Sequence, residues 1–96
     1  MRVRLSLLAE SDIEAIADYI AQDSPKRALS FTSELRSACM GLGEAPLRFA
    51  LLEVARHRGY RRRIHGNYVI VYSVGAEVTI VRVVSAAADL QAIFNA

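Results

Sequence analysis

The run Tyr68-Val69-Ile70-Val71-Tyr72-Ser73-Val74 constrains this chain more than any other. In an extended strand Tyr68, Ile70, Tyr72 and Val74 take one face and Val69, Val71 and Ser73 the other. Both faces are nearly apolar, so neither can be left to water. The surrounding segment, Gly59 to Ser85, reads as three short strands joined by tight turns, with His65-Gly66-Asn67 and Gly75-Ala76 as turn residues. Such a sheet calls for helices on one side and, on the other, a partner.

The helices come from the first half. Residues 1–5 alternate, with Val3 and Leu5 inward and Arg2 and Arg4 outward, and read as a first strand. Ala9, Ile13, Ile16, Ala17 and Ile20 then recur at steps of three and four, which defines an amphipathic helix beginning at Ser6 or at Ser11. Ser11-Asp12-Ile13-Glu14 has capping-box spacing, whereas Ser6 gives a helix longer by about one turn. Asp23-Ser24-Pro25 stops that helix and starts another, because Ser24 can cap and Pro25 suits the first helical position. The second helix carries Ala28, Phe31, Leu35, Ala38 and Leu42 on one stripe and ends near Gly41 or Gly43. So short a break brings the two stripes together only in an antiparallel helical hairpin. In residues 44–58 Leu47, Phe49, Leu51 and Leu52 are expected to tuck against the core. Residues 86–96 offer a short C-terminal helix using Leu90, Ile93 and Phe94.

The expectation is α+β: an N-terminal strand, an antiparallel helical hairpin, then a three-stranded antiparallel sheet with the first strand at or near its edge. The 96 residues allow one domain, 1–96, and 53% hydrophobic against 23% charged residues is the balance of a packed globule. No apolar run is long enough to cross a bilayer and the first residues lack a signal-peptide pattern, so a cytoplasmic protein with no membrane contact is expected. The single cysteine, Cys39, lies in the apolar helical pattern and reads as a buried structural thiol.

Chemistry is hard to find. There is no phosphate-binding loop, no dinucleotide fingerprint, no HExxH and no GxSxG. His57 and His65 fall in a loop and a turn with no carboxylate at ligand spacing, so no metal is expected, and no cofactor. Asp12 and Glu14, or Glu10 and Glu14, are placed on the solvent side of the first helix. Net charge is only +2, yet Arg56, Arg58, Arg61, Arg62 and Arg63, with His57, crowd into one stretch. Guanidinium forks bind carboxylates and phosphates bidentately, which suits an acidic partner. Arg61 and Arg63 share one face of their strand, and Arg62 shares the other with Tyr60 and Ile64. With Tyr68, Tyr72 and Arg82 on neighbouring strands, these side chains compose either an interaction surface or a phosphate-contacting, base-stacking one. Direct nucleic-acid binding is left open by spacing alone.

Taken in order, Ala9, Asp12-Ile13, Ile16 and Tyr19-Ile20, then Pro25, Ala28 and Phe31, then Leu42 and Pro46, lead to Gly59-Tyr60-Arg61-Arg62. Tyr68 to Tyr72, Val78 to Val84 with Arg82, and Asp89 complete a pattern that resembles the RelE/ParE superfamily of bacterial type II toxins over nearly the whole chain. The resemblance implies a helical hairpin on an antiparallel sheet and a cognate, ParD-like antitoxin whose C-terminal segment folds over both. RelE-like members cut mRNA in the ribosome, and ParE-like members are associated with DNA gyrase. Many relatives carry His-Gly-basic-basic-Asp after the last strand. This chain reads Ser85-Ala86-Ala87-Ala88-Asp89, without the side chains that could orient or move a proton. The resemblance therefore implies a ParE-like gyrase inhibitor with no catalytic residues. Arg61, Arg63, Tyr68, Tyr72 and Arg82 are its expected antitoxin- or target-binding set. The alternatives are a RelE-like ribosome-dependent endoribonuclease and a non-toxic interaction module.

Overall fold

The computed structural model describes residues 1–94. A strand β1 (Val3–Leu5) leads into helices α1 (Leu7–Ala21) and α2 (Pro25–Gly41). A 3-10 helix (Glu53–Arg58), strands β2 (Arg61–His65), β3 (Tyr68–Val74) and β4 (Val78–Ser85), and helix α3 (Leu90–Phe94) follow. The sheet order is β1-β4-β3-β2, with β1 parallel to β4 and the other pairings antiparallel. The first strand thus takes an edge. The expected helix in residues 86–96 is present as α3, and residues 95–96 lie outside those described.

Ser6, not Ser11, begins α1. Its hydroxyl accepts from the Ala9 N–H at 3.0 Å and donates to the Val81 carbonyl at 2.8 Å, while its own N–H donates to the Ile80 carbonyl at 3.0 Å. One residue therefore caps the helix and satisfies the edge of β4 just where β1 ends. Ser24 caps α2 through the Arg27 N–H at 3.1 Å, with Pro25 in the first turn. Glu10 and Arg36 join the two helices through a bidentate pair at 3.2 and 3.0 Å, which holds the Glu10 carboxyl below its ordinary value.

The hairpin and the sheet enclose the main core: Ala9, Ile13, Ile16, Phe31, Leu35, Ala38, Cys39 and Leu42 against Ile70, Tyr72, Val78, Ile80 and Val83. The other face of the sheet is not left for a partner. Leu52 and Ala55, around the 3-10 helix, and Phe94 from α3 cover Val69, Val71 and Val84 there, with Val54, Tyr60, Val81, Leu90 and Ile93 around them. The sequence signal for this cover was weak, because the 3-10 helix has no apolar period. Phe49 and Leu52 do pack on the two cores, whereas Leu51 is half-buried and Leu47 is 65% exposed, since the turn after Pro46 points it outward.

Two backbone details position the surface described below. The β2–β3 hairpin turns through Gly66-Asn67 with φ of +59° at Gly66 alone, the pattern of a type II′ turn. Gly75 needs no such freedom, because the β3–β4 loop closes by a bond from the Gly75 N–H to the Glu77 carbonyl. In β4, Arg82 pairs with Val71 and Ile80 with Tyr72, so Val81 is an inserted, bulged residue. Strict alternation from Val78 and Ile80 would have driven Arg82 into the helical core. The bulge shifts the phase, so that Val83 enters that core and Val84 the other.

Phe31 ties these layers together, with its ring 5.6 Å from both His65 and Tyr68 and packed under Gly66. Phe31→Ala should lower unfolding free energy by ~3–5 kcal/mol, most of what a domain of this size has. Urea unfolding checks this, and a nearly native midpoint would place Phe31 outside the core.

Candidate docking surface

Alternation splits the arginines of β2. Arg61 and Arg63 turn toward the helical layer and end on main-chain carbonyls. Arg61 Nη1 donates to the Phe49 carbonyl at 2.7 Å, and Arg63 Nη1 to the Ala38 carbonyl at 2.8 Å. The Arg63 guanidinium also stands 5.1 Å from the Phe49 ring. Tyr72, paired with Arg61 across the strands, is fully buried, and its hydroxyl donates to the Pro46 carbonyl at 2.7 Å. Burial pushes the Tyr72 phenol above its ordinary value. These three sequence-selected residues are therefore brought together, and what they hold is the 46–49 segment and the C-terminal turn of α2. A cation at carbonyls in the last helical turn is favourable on dipole grounds as well.

Arg82 is placed differently. Its Nε and Nη2 donate to the two Asp12 oxygens at 2.8 and 2.9 Å, and Asp12 Oδ2 also accepts the Val83 N–H at 2.9 Å. Asp12 is consequently not on the solvent side of α1, as its spacing suggested. Its side chain is only 16% exposed, and it occupies the β4 edge that β1 is too short to reach. Pairing to Asp12 raises the Arg82 pKa, so the guanidinium stays charged.

Tyr68, the fifth selected residue, is half-buried on Phe31 and lines a cleft of about 540 Å³ with Tyr19, Asn67, Ser85, Ala86 and Ala87. A second cleft, of about 240 Å³, lies at the other end of α1 among Leu8, Arg58, Tyr60, Val81, Arg82, Ile93 and Phe94. The Asp12–Arg82 pair stands between the two. Leu8, Asp12, Ala15 and Tyr19 follow one another at helical steps along this side of α1, with Leu8 59% and Tyr19 67% exposed. The groove so formed was missed from sequence, apart from Tyr68 and Arg82. Its available signal was the second apolar stripe of α1, Leu8-Ala15-Tyr19, offset from the core stripe.

Other titratable groups are structural. Cys39 is fully buried and its thiol is pushed up to about 11 by desolvation, so it stays protonated. His57 is exposed as expected, whereas His65 is half-buried against Phe31. Among the described residues no group of three His, Cys, Asp or Glu side chains could hold a metal ion. No described helix is long and apolar enough to cross a membrane.

Fold and surface together define a small α+β domain with a helical hairpin on one face of its sheet and an open, largely uncharged groove beside that hairpin. The chain belongs to the ParE toxin family of type II toxin–antitoxin systems, parDE, whose family model matches residues 3–93. Among solved structures it is similar to a chain of the chromosomal ParDE toxin–antitoxin system from P. aeruginosa. That chain has 21% identity and a TM-score of 0.76, with 88% of this chain and 95% of that one covered. No curated protein sequence matches.

The Asp12–Arg82 pair sets the floor of the groove. Asp12→Ala leaves a half-buried guanidinium and the Val83 N–H without their acceptor, and should cost ~2 kcal/mol. Adding Arg82→Met should recover part of that loss. Denaturant titration of the two single variants and the double variant gives the coupling, and strict additivity would mean that the pair is not formed in solution.

Proposed function

We propose that this chain is the toxin of a type II pair, acts on DNA gyrase by protein–protein contact, and is neutralised by a ParD-like antitoxin. The observation that carries the gyrase reading is chemical. Cutting RNA requires a base for the 2′-hydroxyl, charge stabilisation and an acid for the leaving group. Where cleaving relatives carry such groups, Ser85 to Ala88 supply a hydroxyl and three methyl groups. Ala86 and Ala87 line open volume instead, which suits insertion of a partner's side chain.

The antitoxin is assigned to the groove along α1. Its exposed Leu8 and Tyr19 fit the apolar side of an amphipathic segment, and docking of such a segment into a groove is a recurrent mode of peptide recognition. Of the five residues singled out from sequence, Tyr68 and Arg82 make the contact in this reading. Arg61, Arg63 and Tyr72 act through the loop and helix end that they hold.

Tyr19→Ala should weaken antitoxin binding ~10-fold or more with an unchanged melting temperature, as removal of an exposed aromatic anchor does. Calorimetric titration checks this, and an unchanged affinity would move the antitoxin elsewhere. For the target, purified protein should make gyrase accumulate cleaved or unresolved plasmid DNA while leaving mRNA on programmed ribosomes intact. Site-specific mRNA cuts would establish the endoribonuclease instead. Inactivity in both assays with tight antitoxin binding would identify a domain that has lost its toxicity.

A further inference from the structure

The outer edge of β2 lies across the sheet from the α1 groove, and the reading above does not use it. Only the start of this edge is covered. Leu51 bridges Arg61, the Arg62 N–H donates to the Ala50 carbonyl at 3.0 Å, and the Leu52 N–H donates to the Tyr60 carbonyl at 2.8 Å. Since Tyr60 and Arg62 turn main-chain groups outward, alternation does the same for the Arg62 carbonyl and for both main-chain groups of Ile64. Beyond the Arg62–Ala50 contact, no described hydrogen bond reaches that part of the edge. The Ile64 side chain, on the strand's outward-running end, is 61% exposed.

Open edges are ordinarily blunted by charged side chains, proline or a bulge. β2 has neither proline nor bulge, and its register with β3 is unbroken from Arg61–Tyr72 to His65–Tyr68. What marks it is charge. Residues 54–76 contain no Asp or Glu but hold Arg56, Arg58, Arg61, Arg62 and Arg63. Arg61 and Arg63 are engaged internally, and Arg56 is paired with Glu53 at 2.9 Å. Arg58 rests 5.9 Å from the Tyr60 ring and lines the second α1 cleft, which leaves Arg62, without an anionic partner among the described residues, as the free charge of this edge. A second copy of β2 would set arginine against arginine, and like charges on neighbouring strands are destabilising. An acidic strand reverses the sign.

We infer that the Arg62–His65 edge of β2 accepts an extended acidic segment of a partner protein as a fifth strand, with a carboxylate beside Arg62 and an apolar side chain beside Ile64. Main-chain bonds supply affinity in such strand addition, and alternate side chains supply the choice of partner. Because none of Arg62 to His65 lines either α1 cleft, both surfaces can be filled at once.

The test is an NMR titration of the isotope-labelled domain with a short synthetic peptide alternating Glu and Val, and with its Lys-Val counterpart. The Glu-Val peptide should shift the amides of Arg62, Ile64 and Gly66, with the Lys-Val peptide inert. Ile64→Pro deletes only the outward N–H and spares the pairs that β2 makes with β3. It should weaken binding ~10-fold or more, as should Arg62→Glu, while Ile64→Thr keeps the donor and should bind within ~3-fold of the parent. If Ile64→Pro fails to fold, the shift map and Arg62→Glu decide. Shifts confined to the α1 groove, no shifts at all, or unchanged binding by both variants would overturn the inference. Perturbation of the same amides by a single-stranded oligonucleotide but not by the peptide would overturn it in favour of a nucleic-acid surface.

Discussion

The double burial of β3 organises the molecule. Val69, Ile70, Val71 and Tyr72 are each at most 4% exposed, so the strand is closed over on both faces. The helical hairpin can supply only one cover. The second has to come from the chain after α2, and to reach it residues 44–52 must pass around the outer edge of β2. A segment that wraps an edge makes few ladder bonds, and its buried carbonyls need donors from elsewhere. Arg61 and Tyr72 are those donors, aimed at Phe49 and Pro46, and Arg63 stands over the Phe49 ring while donating to the Ala38 carbonyl of α2. The arginines that look like a binding comb are, in two cases of three, the fastening for the wrap.

The same economy of edges explains α1. β1 pairs with β4 only from Val78 to Ile80, and beyond that point the edge of β4 has no strand beside it. Ser6 takes the Val81 carbonyl and Asp12 takes the Val83 N–H, so α1 substitutes for the missing strand with side-chain groups. The bulge at Val81 makes this arrangement self-consistent, since it brings Arg82 out of the helical core to meet Asp12. Three local features therefore share one purpose: a longer helix than the capping box suggests, a bulge, and a half-buried ion pair.

This is also where sequence reasoning succeeded and where it stopped. The apolar periods of α1 and α2, the cap at Ser24, and the three strands of the sheet were legible because each is a local pattern with a local cause, whereas spacing left the cap of α1 open between Ser6 and Ser11. The parallel seat of β1, the cover by Leu52, Ala55 and Phe94, and the inward turn of Asp12 depend on residues dozens of positions apart. Period and propensity carry no information about such pairs. Of the candidate surface, Tyr68 and Arg82 were visible, because aromatic and guanidinium side chains on strands are conspicuous. Leu8 and Tyr19 were hidden within a helix whose stronger stripe had already been assigned to the core.

The two unpartnered surfaces differ in kind. Along α1 the central guanidinium is already neutralised by Asp12, and the clefts at either end are lined mainly by aliphatic, aromatic and small uncharged side chains. Attraction there must come chiefly from apolar contact, which changes little with salt. At the outer edge of β2 the apolar area is a single isoleucine, while Arg62 has no acidic partner among the described residues. Attraction there is electrostatic and is screened within about 10 Å at 0.1 M salt. A domain built this way can hold one partner by shape and another by charge, and ionic strength would release only the second.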